Sequence, residues 1–381
     1  REEKKVRSLI REGYPADFIG EAYQTVSGQN SNNSVSVTDV FMEAVLKDGT
    51  LETRLRTTGE VHEKHSARNL MRKMAEAAWQ CADPGIHFVT TMNRWNTVKN
   101  SGPIRGTNPC SEFVFLDDTA CNLASINLMK FLDEDGRFDV EGYRHAIRIL
   151  FIAQEILVDF SSYPTQRITQ NSHDLRPLGL GYANLGALLM ALGIPYDSRA
   201  GRAVAAALTA ILTGHAYAVS AEMARSKGPF AEYSKNKDAM LGVMSLHADH
   251  AKELAEDFPS DLSKSAAVDW EWAIRFGKLF GYRNAQATVL APTGTIGLLM
   301  DADTTGVEPD FALVKFKKLA GGGSLKIVNA TVERALANIG YSQKEKSAIL
   351  TYLRGTLSFD NTSSINRKTL REKGLTDSVI D

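Results

Sequence analysis

Cysteine is scarce in this chain, with three in 381 residues. So few thiols exclude a disulfide scaffold. The two that fall within Gly106–Ser125, "GTNPCSEFVFLDDTACNLAS", are too few for a closed structural zinc site, which takes about four nitrogen or sulfur ligands. Long hydrophobic runs are also missing. No stretch approaches the roughly eighteen uninterrupted apolar residues of a membrane-spanning helix, and the opening "REEKKVRSLIREGY" lacks the apolar core of a signal peptide. An excess of charge of one sign is missing as well. The net charge is -1, which argues against nucleic-acid or membrane-surface binding as a general role. No fixed-period repeat or low-complexity linker divides the chain. A reducing, cytoplasmic compartment fits this cysteine usage.

What is present is the composition of an ordinary globular protein, 43% hydrophobic and 23% charged, with enough apolar material for a large core. The spacing predicts a polar loop over Ser27–Ser34, a short strand at Val35–Val37 and a helix capped by Thr38 or Asp39. An amphipathic helix is expected over Ser66–Ala82, ended by Asp83-Pro84-Gly85, with Cys81 packed on it. A second helix is expected over Val140–Phe160, with Tyr143, Ile147, Leu150, Phe151 and Ile156 as its stripe. Buried helices are expected over Gly201–Lys227 and Asp269–Phe280, and a short strand at Ala287–Leu290. We read one α/β domain spanning 1–381.

The glycines of "LRPLGLGYANLGALL" invite a dinucleotide-binding reading. It fails because Gly186 is too far from Gly179 and Gly181 and no strong apolar strand precedes them. Close helix packing through small residues is expected there instead. "APTGTIG", Ala291–Gly297, joins a strand end to a Pro-Thr-Gly-Thr turn. Its exposed N–H groups suit an anion, and a plain turn capped by threonine hydroxyls is the alternative. No lysine stands where a Walker A loop requires one. The lysines 315, 317 and 318 read as a solvated edge.

Between Pro103 and Ser125 helical periodicity fails, so the two cysteines fall on loop and extended segments. If that segment is extended, Asn108, Cys110 and Glu112 share a face and gather an amide, a thiol and a carboxylate. Such a set could move a hydrogen atom or proton at a substrate carbon. A buried cysteine flanked by turn residues is the alternative. Cys121 follows the Asp117-Asp118 turn, and either a disulfide with Cys110 or a catalytic thiol pair is open at this point.

"NPCSE", "DDTACNLASINL", "GLGYANLGALL" and "APTGTIGLLMDADTTGVEPDFALVKFKKL", in this order, resemble the catalytic chain of ribonucleotide reductases, most closely the class II, adenosylcobalamin-dependent branch. The resemblance implies a ten-stranded α/β barrel with a central finger loop, and reduction of ribonucleotides to 2'-deoxyribonucleotides for DNA synthesis. It implies that Cys110 carries a thiyl radical, that Glu112 takes the 3'-hydroxyl proton and that Asn108 holds substrate hydroxyls. Pro109 and Ser111 complete the finger's substrate contacts. Cys121 corresponds to one member of the redox dithiol, and Pro292, Thr293, Gly294, Thr295 and Ile296 to the phosphate-binding loop. No metal-ligating residues are implied.

By the same resemblance the partners would be a ribonucleotide, expected as the diphosphate, and a thioredoxin- or glutaredoxin-type reductant, with a homodimer admitted. The second redox cysteine would lie upstream of Arg1, and the re-reducing tail beyond Asp381. The sequence therefore reads as a central fragment unable to turn over alone. "SGQNSNNSVSV" is expected near the site, its individual asparagines closing their own turns. Two alternatives remain: a class I large subunit, and a catalytically incompetent nucleotide-binding fragment of the same scaffold.

Overall fold

The computed structural model describes residues 2–16, 20–28, 31–319, 321–356, 358–359 and 362–380. Gln29 and Asn30 of the asparagine-rich stretch, and Ala320 after the lysines, lie outside the described residues. Two compact units are present, Arg1–Asn96 with Pro103–Asp117, and Thr97–Gly102 with Asp118–Asp381.

The first unit contains helices α1 (Glu2–Arg11), α2 (Glu21–Gln24), α3 (Asp39–Leu46), α4 (Ala67–Cys81) and α5 (Val89–Arg94). Its strands are β1 (Ser34–Val37), β2 (Thr50–Arg54), β3 (Val61–Ser66) and β4 (Gly85–Phe88). The predicted boundaries hold for chemical reasons. Thr38 caps α3 by accepting from the Phe41 N–H, and Ser66 caps α4 by accepting from the Asn69 N–H, each satisfying a donor the first turn leaves open. β1 and β4 pair in parallel, Ser36 opposite His87, while β2 and β3 form an antiparallel hairpin. Val37, Phe41 and Ala67 form a small core with Leu70, Met74 and Ile86 against it. Cys81 departs from expectation. It ends α4 on the exposed side, its thiol directed to the carbonyls of Ala77 and Asp83.

The second unit opens with strand β5 (Asn122–Asn127), a 3-10 turn at Leu128–Phe131 and helices α6 (Val140–Phe160) and α7 (Gln166–Leu175). Strand β6 (Leu178–Ala183) then leads into α8 (Leu185–Ala191), α9 (Arg199–Lys227), α10 (Tyr233–Asp257), α11 (Asp261–Phe280) and α12 (Gly294–Leu299). The hairpin β7 (Val314–Lys318) and β8 (Ser324–Val328) follows, then helices α13 (Val332–Asn338), α14 (Gln343–Arg354), α15 (Arg367–Glu372) and α16 (Asp377–Ile380). β5 and β6 pair in parallel, Leu123 opposite Gly179, across a crossover that contains α6 and α7. Parallel strands joined through helices are the signature of an α/β fold.

The core of this unit lies where α9 meets α11. Leu208, Ile211 and Leu212 of α9 are fully buried, and Tyr217 packs at 6.2 Å from the Trp270 ring and edge-on at 5.6 Å to Tyr282. By length and composition α9 is apolar enough to cross a membrane, but 56% of its apolar window is buried within the fold.

Four readings change. α11 starts eight residues before the expected Asp269, because Ser260 and Ser263 form a capping box at its N-terminus. α10 was not anticipated. Ile156 is 53% exposed, while Tyr143, Ile147 and Phe151 carry the buried stripe of α6. Lys315 is not a solvated edge residue; it pairs with the buried Asp310 carboxylate at 2.9 Å and donates to the Asp303 carbonyl. Lys317 and Lys318 are exposed as expected.

Candidate active site

Asn108, Cys110 and Glu112, the residues expected on a finger, belong to the first unit. Two anchors fix the limbs of the loop. On the outward limb Asn93 of α5 accepts from the Ile104 N–H at 2.9 Å and donates to its carbonyl at 2.8 Å. On the return limb Phe113 and Phe115 are buried, their rings 5.8 Å apart. Between them the chain is not extended, as a shared face had required, but reverses tightly. The Ser111 N–H donates to the Asn108 carbonyl at 3.0 Å, Pro109 and Cys110 occupy the corners, and Ser111 takes a left-handed φ of 65°. Proline at the first corner suits such a turn because its φ is already set.

This reversal redistributes the roles of the three predicted side chains. Asn108 Oδ1 is committed, accepting from the Phe113 N–H at 2.9 Å. The amide oxygen therefore helps close the turn, and the Nδ2 donors are its unengaged hydrogens. Cys110 stands exposed at the apex. Glu112 is half-buried, and its Oε2 is shut off from solvent with no hydrogen-bond partner among the described residues. A buried carboxylate oxygen left open is costly in a folded protein and marks a place where a ligand hydroxyl can bond.

Two supporting residues, His87 and Thr107, escaped the sequence reading, and a third, Asn32, comes from the stretch expected near the site. His87 of β4 is buried, with Nε2 3.1 Å from Thr107 Oγ1 and 3.2 Å from Ser111 Oγ. Thr107 also donates to the Asn108 carbonyl at 2.8 Å. Asn32 donates from Nδ2 to the Pro109 carbonyl at 3.1 Å, so one asparagine of the polar stretch does reach the finger. Asn33 instead bonds Asp83. A histidine in the strand "GIHF" was the one available signal for His87.

Cys121 and the residues 292–296 belong to the second unit. None of the three cysteines is in a disulfide. Cys121 immediately precedes β5 and is half-buried. Its neighbours are pinned on both sides. The Ala120 N–H donates to Ser172 Oγ at 3.1 Å, and Asn122 and Gln154 exchange side-chain bonds with each other's carbonyls at 2.9 and 2.6 Å. Beneath them the buried Glu155 carboxylate accepts from Arg176 at 2.6 Å, Arg283 at 2.7 Å and Asn284 at 2.5 Å.

At the 292–296 turn, Thr293 has a left-handed φ of 53°, and its buried hydroxyl accepts from the Gly306 N–H at 2.7 Å. Gly294, Thr295 and Ile296 are exposed at the start of α12. Thr293 is thus spent on holding the turn, and the residues after it are the open ones. A buried clamp supports them. Asn184, also left-handed, donates to Asn127 at 3.0 Å and accepts from the Thr304 N–H at 3.0 Å. The Thr304 hydroxyl accepts from the Ala187 N–H, and Asn127 donates to the Met300 carbonyl at the end of α12. Asn184, just ahead of an apolar helix, was legible as a cap-type residue; its role as a clamp was not.

The glycines expected to pack helices do something else. Gly179 and Gly181 lie in β6, where a side chain would meet Cys121 and Val289, and only Gly186 lies on a helix, against Thr304 and Glu308. In place of the expected strand at 287–290 there is a single isolated parallel bridge, Thr288 to Leu180 of β6. Among the described residues no cluster of three His, Cys, Asp or Glu side chains is placed to hold a metal ion.

The family model for the ribonucleotide reductase barrel domain matches residues 20–372. A relative from Rhodopirellula baltica, named vitamin B12-dependent ribonucleotide reductase, is 54% identical over 354 residues, 92% of this chain and 34% of that protein. A relative of the same name from Agrobacterium fabrum is 50% identical over 385 residues, 97% of this chain and 30% of that protein. A vitamin B12-dependent ribonucleoside-diphosphate reductase from Mycobacterium tuberculosis is 32% identical over 314 residues, 82% of this chain and 40% of that protein. The chain spans 30–40% of the length of these three curated relatives. With motifs and family model in agreement over nearly its whole length, the chain belongs to the ribonucleotide reductase family through its barrel domain.

Proposed function

We propose that the protein reduces ribonucleotides to 2'-deoxyribonucleotides by thiyl-radical chemistry, supplying DNA precursors in the cytoplasm. Residues 1–381 would provide part of a single ten-stranded barrel domain with Cys110 on its finger. The observation that carries this reading is the exposed Cys110 thiol at the apex of a fixed turn, two residues from a buried carboxylate oxygen with no hydrogen-bond partner among the described residues.

In this reading the Cys110 thiyl takes a hydrogen atom from C3' of the ribose, becoming a thiol and leaving a carbon radical. Glu112 Oε2 accepts the 3'-hydroxyl proton, and the Asn108 Nδ2 group donates to a ribose hydroxyl. Pro109 and Ser111, at the turn, border the sugar. The 2'-hydroxyl leaves as water. Cys121 and a partner thiol outside this chain supply two electrons and two protons, one proton leaving in the water and the other ending at C2', and close a disulfide. Cys110 then returns its hydrogen atom to C3', and Glu112 returns its proton to the 3'-oxygen. Pro292, Thr293, Gly294, Thr295 and Ile296 would hold the phosphates, with the open N–H groups after Thr293 as donors. Fixing phosphate and sugar at separate points is what brings C3' beside the sulfur.

The relatives' names support a cobalamin, and adenosylcobalamin is the form proposed. When bound it supplies the radical through its cobalt–carbon bond, and the exposed Cys110 sulfur is the group of this chain that fits as its recipient. A ribonucleoside diphosphate, a thioredoxin- or glutaredoxin-type reductant and a second copy of the protein are the proposed partners. Cys110→Ser in the full-length protein, assayed with adenosylcobalamin and a ribonucleotide, is expected to abolish deoxyribonucleotide formation. Product at the unmodified rate would refute the radical assignment.

A further inference from the structure

Strand β6 begins Leu178-Gly179-Leu180-Gly181, with both leucines fully buried. Glycine weakens a strand by adding flexibility and removing packing, so two on one face call for a cause. Backbone conformation is not that cause, because neither glycine has a positive φ. Space is. A Cβ at 179 would overlap Cys121 Sγ and lie 2.8 Å from Leu123 Cδ2 and 3.1 Å from Val289 Cγ2. Real Cβ atoms essentially never come within 3.0 Å of such neighbours.

The backbones around this notch have little room to yield. Leu123 lies directly opposite Gly179 in the parallel register. On its other edge β6 is tied by Leu178 N–H to the Gln286 carbonyl at 2.8 Å and by Leu180 N–H to the Ala287 carbonyl at 3.2 Å. Ala120 and Asn122 are tethered on either side of Cys121, to Ser172 and Gln154. Relief would have to come from side-chain rotation, of the Cys121 sulfur, which takes the severest overlap, and of the Leu123 methyl.

We propose that Gly179 is a positioning residue for the Cys121 thiol. Lacking a Cβ, it leaves the notch in β6 over which the sulfur sits, and any side chain there turns the sulfur out of it. The placement stands on packing alone, whereas its consequence for electron delivery rests on the dithiol reading above. Gly181 serves a different neighbour. A Cβ there would overlap the Val289 carbonyl oxygen and lie 3.7 Å from the Ala291 nitrogen. Its absence lets the segment before the 292–296 turn run close along β6, so one short motif seats both a thiol and the approach to a loop.

The test is site-resolved alkylation. The native chain and its Gly179→Ala variant are treated with iodoacetamide, and the rate at each cysteine is read by peptide mass mapping. The Cys121 rate is expected to shift several-fold while Cys81 and Cys110 keep theirs, because alkylation follows thiol environment and access. An unchanged Cys121 rate overturns the proposal.

Should Gly179→Ala not fold, the double variant with Cys121→Ala decides. Removing the sulfur is expected to restore folding and raise the melting temperature in the Gly179→Ala background while giving no such gain when Gly179 is kept. Equal failure with and without the sulfur would locate the clash elsewhere and overturn the assignment. The dithiol reading is tested separately by Cys121→Ser in the full-length protein. Normal multiple turnover there would remove the catalytic consequence and leave the alkylation result standing.

Discussion

Cys110 sits on a turn closed by the Ser111 N–H to Asn108 carbonyl bond and steadied by the side chains of His87, Thr107, Asn32 and Asn108. Cys121 sits beside a strand held by the β5–β6 ladder and by bonds to Ser172 and Gln154, with a buried ionic cluster at the neighbouring Glu155. The first thiol is exposed and its surroundings are a few separate polar bonds. The second is half-buried and its surroundings are a network. Side-chain bonds near the surface can be broken one at a time at modest cost, whereas a buried network loses several partners when one is removed. The contrast is consistent with the roles proposed for them, Cys110 as an accessible radical carrier and Cys121 as a redox thiol held in place.

The comparison breaks most severely at Glu155. Glu155→Ala leaves Arg176 and Arg283 charged, with Arg176 buried and unpaired by this carboxylate, and is expected to lower unfolding stability by about 3–5 kcal/mol. Urea denaturation of the chain measures it, and a loss below the range of ordinary surface changes would show that the cluster is not what holds β5 and β6.

Acid should strike the same unit next. Burial against Trp270 pushes His247 down to about 4. Below its ordinary value of 6.5 the unfolded chain binds a proton that the folded chain refuses until about pH 4, so stability falls as pH drops through that window. The loss should be about 2 kcal/mol, trimmed by the partial solvent access of the ring. His247→Phe should flatten the slope of stability against pH, and an identical slope in the variant would exclude His247 as its source.

Smaller effects are expected at the finger. His87→Ala removes bonds to two hydroxyls and should cost about 1–2 kcal/mol, with faster hydrogen exchange at Ser111 and Phe113 and none of the change reaching β6. Asn32→Ala deletes one exposed bond and should cost about 0.5–1 kcal/mol, seen as a local rise in exchange at Ser111. Equal exchange in the variant and the parent would mean that the asparagine stretch does not support the turn.

Much of this was legible where the cause is local. The bounds of α6 followed from its repeating apolar positions, and β1, α3 and α4 from cap residues and the turn after Cys81. What could not be read depends on partners distant in sequence. The left-handed Ser111 is held by His87, and Asn184 by Asn127 and Thr304; no spacing rule links such residues. α10 escaped notice because its buried Met240, Val243 and Met244 form a short stripe among many polar residues. The geometry assumed for Asn108, Cys110 and Glu112 was extended, whereas the chain turns tightly there and gives Asn108 a structural task.

That task has a consequence for ligand chemistry. With Oδ1 already accepting from Phe113, Asn108 offers a ligand chiefly its Nδ2 donors, whereas Glu112 Oε2 can only accept while ionised. The two ends of the finger therefore differ in the isosteres they tolerate. A fluorine in place of a hydroxyl keeps a weak acceptor and loses the donor, so it would be borne beside Asn108 and rejected beside Glu112. Paired fluoro analogues differing only in which hydroxyl is replaced would map the direction in which a sugar lies across the turn.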